Sequence, residues 1–133
     1  MALRVEAARD EDMEKIVPVI FDAYGGQHPY LNAAFPNNLT PEGQANALKR
    51  IAAIGASSET AKWEKVVDTA TGEIIGAAMW LLYRDKKPEQ HDLDGPPGTW
   101  ENETEKEYAQ ALYKSYAAEE RAFWESNELP LMS

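Results

Sequence analysis

The sequence contains no cysteine, which excludes disulfide bonds, thiolate zinc sites and a cysteine nucleophile. No run approaches the roughly 18 apolar residues that a membrane-spanning helix needs. The first 15 residues hold no apolar segment of the kind found in secretion signals. These absences favour a cytoplasmic protein without a membrane partner.

Phosphate-binding motifs are also missing. The sequence has neither G-x-x-x-x-G-K-[ST] nor G-x-G-x-x-G, and its glycine clusters are Gly25-Gly26 and residues 95–98. Gly25-Gly26 is typical of a helix end. Residues 95–98 read G-P-P-G, with prolines where a phosphate would need backbone N–H groups. We therefore predict no nucleotide cofactor.

Histidine is rare, since His28 and His91 are the two in the chain, and neither H-E-x-x-H nor G-x-S-x-G occurs. His91, Asp92 and Asp94 form a partial set of metal ligands. A solvated acidic loop explains this group more simply. We predict no metal centre.

Acidic charge is abundant. The chain has 23 Asp and Glu side chains against 13 Lys and Arg, for a formal net charge of −10, and residues 85–133 hold 12 of these acids and 5 of the bases. A polyanion would be repelled, so nucleic acid is excluded as a partner, whereas a cationic ligand or partner would be attracted. A plain solvated surface is the commoner explanation of such charge.

A β-hairpin over residues 63–84 is the strongest local pattern. Its first arm suits a pleated surface, its second arm is a nearly unbroken apolar run, and Gly72 can take the positive φ that a tight connection needs. A strand that is apolar on both sides belongs between layers. We therefore predict an α+β fold for the single domain 1–133, with a small, mostly antiparallel sheet of three to four strands and helices on both faces.

Alternation predicts a short strand over residues 3–7, with Leu3, Val5 and Ala7 on one face. A helix over residues 11–24 follows, capped by Asp10, and Pro18 predicts a kink or a late, irregular start.

Residues 27–38 are predicted to be a connector with an unusual load of aromatic groups. A second helix over residues 41–55 is capped by Thr40 and ends at Gly55.

The second half contains a biased segment, residues 85–103, which is predicted to be a mobile acidic surface loop. A long helix over residues 104–125 follows, capped by Thr104 or Asn102. Its predicted apolar stripe consists of Tyr108, Leu112, Tyr113, Tyr116, Phe123 and Trp124. Residues 129–133 are predicted to start a further strand.

This order of elements, with a strand L-R-V-x-x-A and a hairpin W-x-K-V-V-D-x-x-T-G-E-I-I-G-x-A-x-W, resembles the front half of a GNAT-superfamily N-acetyltransferase of the fungal type. The residues that carry the resemblance are Trp63, Val66, Val67, Asp68, Thr71, Gly72, Glu73, Ile75, Gly76, Ala78 and Trp80. In that family a glycine-containing loop after the next strand holds the pyrophosphate of acetyl-CoA. The sequence ends before that loop, so we expect no acetyl-CoA site.

The resemblance implies a pocket between the first two helices and the open face of the hairpin. Its expected lining is Tyr24, His28, Tyr30, Phe35, Trp80 and Tyr83. Such a pocket would bind a flat, partly apolar small molecule, with His28 as the base and Tyr30 or a nearby carboxylate as its catalytic partner.

Three functions follow. The favoured one is a truncated, non-acetylating GNAT-like protein that binds a small molecule or a protein partner. The second is a small enzyme that performs acid–base chemistry such as isomerisation, cyclisation or hydrolysis. The third is a fragment of an ordinary N-acetyltransferase.

The sequence also predicts a homodimer. The apolar arm over residues 73–83 would have a bare edge, which another chain can pair with, and the helix over residues 104–125 can cross to a partner over the preceding loop. The alternative is a monomer in which residues 129–132 fold back and close the edge.

Overall fold

Four antiparallel strands form a sheet in the order β1-β2-β3-β4. The computed structural model describes residues 2–57 and 61–132. Within them the strands are β1 Leu3–Ala7, β2 Ala61–Asp68, β3 Ile74–Tyr83 and β4 Leu131–Met132. The predicted α+β class and the antiparallel sheet are confirmed.

The helices occupy the two long connections of this sheet. Between β1 and β2 lie a 3₁₀ turn, Asp10–Asp12, and helices α1 Met13–Tyr24, α2 Pro29–Ala34 and α3 Pro41–Ser57; between β3 and β4 lies α4, Glu103–Ser126. Val17 and Phe21 of α1 form a buried cluster with Ala47 of α3. The main core is therefore the contact between α1 and α3, and α1 also packs on β3.

The hairpin between β2 and β3 forms as predicted. Gly72 has a φ of 75°, and its N–H donates to the carbonyl of Asp68 at 2.7 Å. The register shifts between Val66 and Val67, so that Val66 pairs with Gly76 while Val67 pairs with Ile74. This bulge leaves Ile75 as the extra residue on β3.

The two faces of the sheet differ in cover. Val67 and Leu131 are buried at 6% and 3% exposure. On the other face the side chains of Leu3, Val5 and Trp80 are 56%, 63% and 46% exposed. The expectation of helices on both faces is therefore wrong for the face that carries Trp80, because a run that is apolar on both sides does not show which side is covered.

The start of α1 differs from the prediction. Asp10 is not a cap, because it lies inside the 3₁₀ turn, and the helix begins at Met13, so a late and irregular start precedes Pro18. Asp12 instead accepts a hydrogen bond from the backbone N–H of Arg9 at 2.8 Å and one from Lys65 Nζ at 2.8 Å. Each side chain of this ion pair is 14% exposed, and the pair joins the start of α1 to β2.

The caps of α3 and α4 are confirmed. The Thr40 hydroxyl accepts the N–H of Gly43 at 3.1 Å, and Asn102 Oδ1 accepts the N–H of Glu105 at 2.9 Å. Gly55 does not end α3, which continues to Ser57.

The apolar stripe predicted for α4 is wrong in part. The buried residues of this helix are Ala109 and Ala117, at 0% and 6% exposure, whereas Tyr108, Tyr116 and Phe123 are more than half exposed. Small residues allow α4 to approach α2, its main neighbour. The large aromatic side chains of α4 therefore lie beside the contact between α4 and α2 and not within it.

The strand predicted near residue 129 forms at Leu131 and Met132, which pair with Tyr83 and Leu82. In the described part of the chain β4 thus covers only the last two residues on the outer edge of β3. The predicted dimer stays a prediction. Across residues 2–57 and 61–132, no helix has the length and apolar character needed to cross a bilayer.

Truncation of one aromatic residue in the core and one on the open face of the sheet should lower the free energy of unfolding by different amounts. Phe21 is 2% exposed, so Phe21→Ala should lower the free energy of unfolding by about 3–5 kcal/mol. Trp80 is 46% exposed, so Trp80→Ala should cost only about 1–2 kcal/mol. Urea denaturation measures both, and equal losses would contradict an open face at Trp80.

Candidate binding site: an aromatic band on α1, α2 and α4

Four aromatic side chains form a continuous row, the aromatic band, made of Tyr24, His28, Tyr30 and Tyr116. The His28 ring meets Tyr24 edge-on at 5.2 Å between centroids and lies 6.5 Å from Tyr30. Tyr30 stacks on Tyr116 at 5.1 Å, with the ring planes 9° apart. The row joins the end of α1, the start of α2 and the middle of α4.

Helix α2 positions the centre of the band. His28 is its N-cap in an extended conformation, and its Nδ1 accepts the N–H of Leu31 at 3.3 Å. Pro29 follows at the first helical position, where its missing N–H leaves no unpaired donor. The predicted connector over residues 27–38 therefore contains a helix. His28 as its N-cap and Tyr30 in its first turn both lie at the N-terminal end of α2.

The cap restricts what His28 can do chemically. A ring nitrogen that accepts a hydrogen bond carries no proton, so the neutral ring in this arrangement has its proton on Nε2. The outward nitrogen is then a donor. To act as a base through Nδ1, His28 would have to release the N–H of Leu31.

Tyr30 is also a donor. Burial raises the pKa of Tyr30 to about 12, and the neighbouring Tyr113 and Tyr116 act in the same direction, while Arg50 opposes them. The hydroxyl therefore stays protonated at neutral pH.

Arg50 of α3 contacts α2, the helix that carries His28 and Tyr30. Its guanidinium lies 4.4 Å from the ring centroid of Phe35 and 5.1 Å from that of Trp100. Nε donates to the carbonyl of Asp94 at 3.2 Å, and Nη1 donates to the carbonyl of Ala34 at the end of α2. Burial lowers the pKa of Arg50, against the opposite effects of Tyr30 and Asp94.

The acidic loop over residues 85–103, which was predicted to be mobile, is attached by the bond from Arg50 to Asp94 and by two further hydrogen bonds. Trp100 Nε1 donates to the carbonyl of Ala33 at 2.8 Å, and Asn46 donates to the Thr99 hydroxyl at 3.1 Å. Thr99 is 8% exposed. The aromatic and hydroxyl groups of this part of the loop therefore bond to α2 and α3, and the predicted mobility stays a prediction.

The remaining predicted lining residues lie in three different places. Phe35 packs against Phe21 at 5.5 Å, in the core beneath Arg50. Tyr83 meets Trp124 edge-on at 5.9 Å, and burial, Glu120 and Tyr113 raise its pKa.

Trp80 is three residues from Tyr83 on the same strand, so its side chain lies on the opposite face of the sheet. There it donates to Glu64 Oε2 at 3.3 Å. The structure thus brings Tyr24, His28 and Tyr30 together and does not bring Trp80 to them.

Sequence reasoning did not find Arg50 or Trp100, and it placed Tyr116 in a helix core. The available signal was the pair of tyrosines Tyr113 and Tyr116 on α4, whose spacing of three residues puts them on one side of a helix. Nothing local in the sequence links them to residues 28–30.

Two open hollows lie elsewhere among the described residues. One, of about 280 Å³, lies between α1 and α3; the other, of about 350 Å³, lies over residues 95–106 beside Trp100 and Lys106. Neither contains a residue of the aromatic band. Tyr24 and Tyr116 are 51% and 68% exposed, so the band is a surface.

Acidic side chains near His91 bond to lysines. Asp92 meets Lys114 at 3.3 Å, and Asp94 meets Lys106 at 3.1 Å. Within residues 2–57 and 61–132, no three His, Asp or Glu side chains are grouped so as to hold a metal ion.

Comparisons with family models, with curated proteins and with solved structures found no match for this chain. The resemblance to GNAT acetyltransferases stays a prediction.

The support that Arg50 gives to α2 can be measured by a conservative change. Arg50→Lys keeps the charge but removes the planar fork that reaches two carbonyls and two rings, so the free energy of unfolding should fall by about 2–3 kcal/mol. Limited proteolysis should then cut residues 85–102 faster. Lys49→Ala, at the exposed neighbouring position, is the control; equal effects of both variants would contradict the role of Arg50.

The raised pKa of Tyr30 has a spectroscopic signature. Because the pKa is about 12 in the folded chain and 10.0 ordinarily, the unfolded chain ionises first, so this group lowers stability as the pH rises from 10 towards 12. Phenolate absorbance should show a tyrosine that titrates near pH 12, and Tyr30→Phe should remove this step. The pKa of Tyr83 is also raised, so the late titration of Tyr83 should remain in that variant. Tyr108→Phe, at a residue 56% exposed, should leave the Tyr30 step in place; loss of the Tyr30 step in that variant instead would refute the assignment.

Proposed function

We propose that the protein is a non-acetylating, GNAT-like binding protein that uses the aromatic band to hold a cationic group, carried by a small molecule or by a side chain of a protein partner. The observation that carries this proposal is an exposed row of aromatic rings on a chain of net charge −10. Tyr24 is 51% exposed and Tyr116 is 68% exposed, so their rings are accessible.

Cations bind to the faces of aromatic rings, and each exposed contact contributes about 0.5–1 kcal/mol. Two or three such contacts alone give weak affinity, because a dissociation constant of 1 mM already requires about 4 kcal/mol. A ligand that also stacks a flat group on Tyr116 gains apolar contact area. The expected ligand therefore combines an amine or guanidinium with a flat or apolar part.

The charge of the chain favours the same ligand class. Residues 85–133 carry a net charge of −7, and α4, which contributes Tyr116 to the band, lies within them. A surface of one sign raises the local concentration of oppositely charged ligands. The long-range field thus supports a cationic ligand over an anionic one.

The same geometry gives less support to an acid–base enzyme. His28 Nδ1 is occupied by the N–H of Leu31, and Tyr30 with a pKa of about 12 is a poor base. The band is also open, so water would not be excluded from a reacting group. Isomerisation, cyclisation or hydrolysis at this site would require His28 to leave its cap.

One observation favours the fragment of an ordinary N-acetyltransferase as a second candidate. The exposed face of Leu3, Val5 and Trp80 is the kind of surface that further elements of a larger domain would cover. Under either proposal we assign the protein to the cytoplasm, since a chain without cysteine suits a reducing compartment.

Binding of a cationic probe tests the proposal. Arginine methyl ester should bind, and citrulline methyl ester, which has a neutral ureido group in place of the guanidinium, should bind more weakly, as followed by NMR titration. Tyr116→Ala and Tyr24→Ala should each weaken binding of the arginine ester about two- to fivefold, since each removes one cation–ring contact. Tyr108→Ala, on the same helix but outside the band, is the matched control.

Equal affinity for the guanidinium ester and the ureido ester would refute the cationic site. An arginine- and lysine-rich peptide in place of the ester tests whether the group comes from a protein partner. Acetyl-CoA at millimolar concentration should leave the melting temperature unchanged. A rise of several degrees would instead support acetyl transfer.

A further inference from the structure

Strand β1 is the end strand of the sheet and has one edge that faces away from β2. The carbonyl of Ala2 accepts the N–H of Thr69 at 3.0 Å, and the N–H of Ala8 donates to the carbonyl of Trp63 at 2.9 Å. Antiparallel ladders alternate, so the even-numbered residues of β1 bond to β2. The backbone N–H and C=O groups of Leu3, Val5 and Ala7 therefore point outward.

This edge has little of the protection that edge strands usually carry. Leu3 and Val5 are 56% and 63% exposed, and no proline interrupts the strand. Its two charged side chains, Arg4 and Glu6, bond to each other at 3.4 Å. In the described ranges β2 is the only strand that pairs with β1.

We propose that a second copy of this chain pairs antiparallel with this edge, about a two-fold axis at Val5. In that register Val5 faces Val5 of the second copy, and Leu3 faces Ala7 of the second copy. These are the residues whose backbone groups point outward, so every outward N–H from Leu3 to Ala7 finds a carbonyl. The product is a symmetric dimer with one continuous sheet.

The charged side chains select this register. With the axis at Val5, Arg4 lies across from Glu6 of the second copy, and Glu6 lies across from Arg4 of the second copy. With the axis moved one residue to Arg4 or to Glu6, like charges face each other, which is unfavourable for directly opposed residues. The strand L-R-V-E-A is thus complementary to itself in one antiparallel register.

The open face of the sheet supports the same partner. Leu3 and Val5 lie on the face that also carries Trp80. Pairing of two β1 strands joins the two open faces side by side, so the apolar area of one copy continues into the other. This dimer uses a different strand from the β3 edge predicted from the sequence, and it does not depend on the cationic site.

Reciprocal charge changes test the register. Sedimentation equilibrium up to about 1 mM protein should show a monomer–dimer equilibrium for the original chain. Arg4→Glu places Glu opposite Glu6, and Glu6→Arg places Arg opposite Arg4, so each variant alone should dimerise at least about tenfold more weakly. A mixture of the two variants restores opposite charges at both contacts and should associate about as strongly as the original chain.

The side chain of Arg4 is 63% exposed and that of Glu6 is 36% exposed, and neither belongs to the core, so circular dichroism should show an unchanged fold. A monomer at all concentrations overturns the proposal. A dimer that neither variant weakens also overturns it and points to the β3 edge or to exchange of α4. Failure of the mixture to associate, while the original chain does, rules out the Val5 register.

Discussion

The position of the aromatic band depends on Arg50. Helix α2 has six residues, which is too short for a helix to persist without tertiary contacts. Arg50 supplies these contacts together with α4 and Trp100, because its guanidinium donates to the carbonyl at the end of α2 and lies over the rings of Phe35 and Trp100. A lysine at this position would lack the planar group with spaced donors that reaches two carbonyls and lies over two rings. A partly buried residue of α3 thus holds the helix that carries His28 and Tyr30.

The parts of the fold that follow from local chemistry could be predicted from the sequence. Gly72 takes the positive φ that the hairpin needs, and Thr40 and Asn102 cap their helices. Each of these depends on residues within about four positions of one another. Helix α2 is a local element that was missed, because prolines and asparagines over residues 27–38 are typical of turns and histidine is an unusual cap.

Burial was harder to predict than secondary structure. The apolar run of β3 predicted cover on both sides, yet Trp80 is 46% exposed. In α4 the large aromatics were expected inside, but Ala109 and Ala117 are the buried residues because the helices approach closely there. For the site, the proximity of Tyr24, His28 and Tyr30 follows from their spacing, whereas the stack of Tyr30 on Tyr116 joins distant parts of the chain and has no local signal.

The pairing of β1 with β2 has a topological consequence for the band. Ala7 pairs with Glu64. The chain from the 3₁₀ turn to the end of α3 therefore lies in one loop whose two ends are joined by the pairing of β1 with β2. The configurational entropy of closing that loop is lost once, when the strands pair, and grows only slowly with the number of residues enclosed. The helices inside it then dock as tethered bodies at high effective concentration. The arrangement of these helices, and with it the position of the aromatic band, therefore depends on the pairing of β1 with β2.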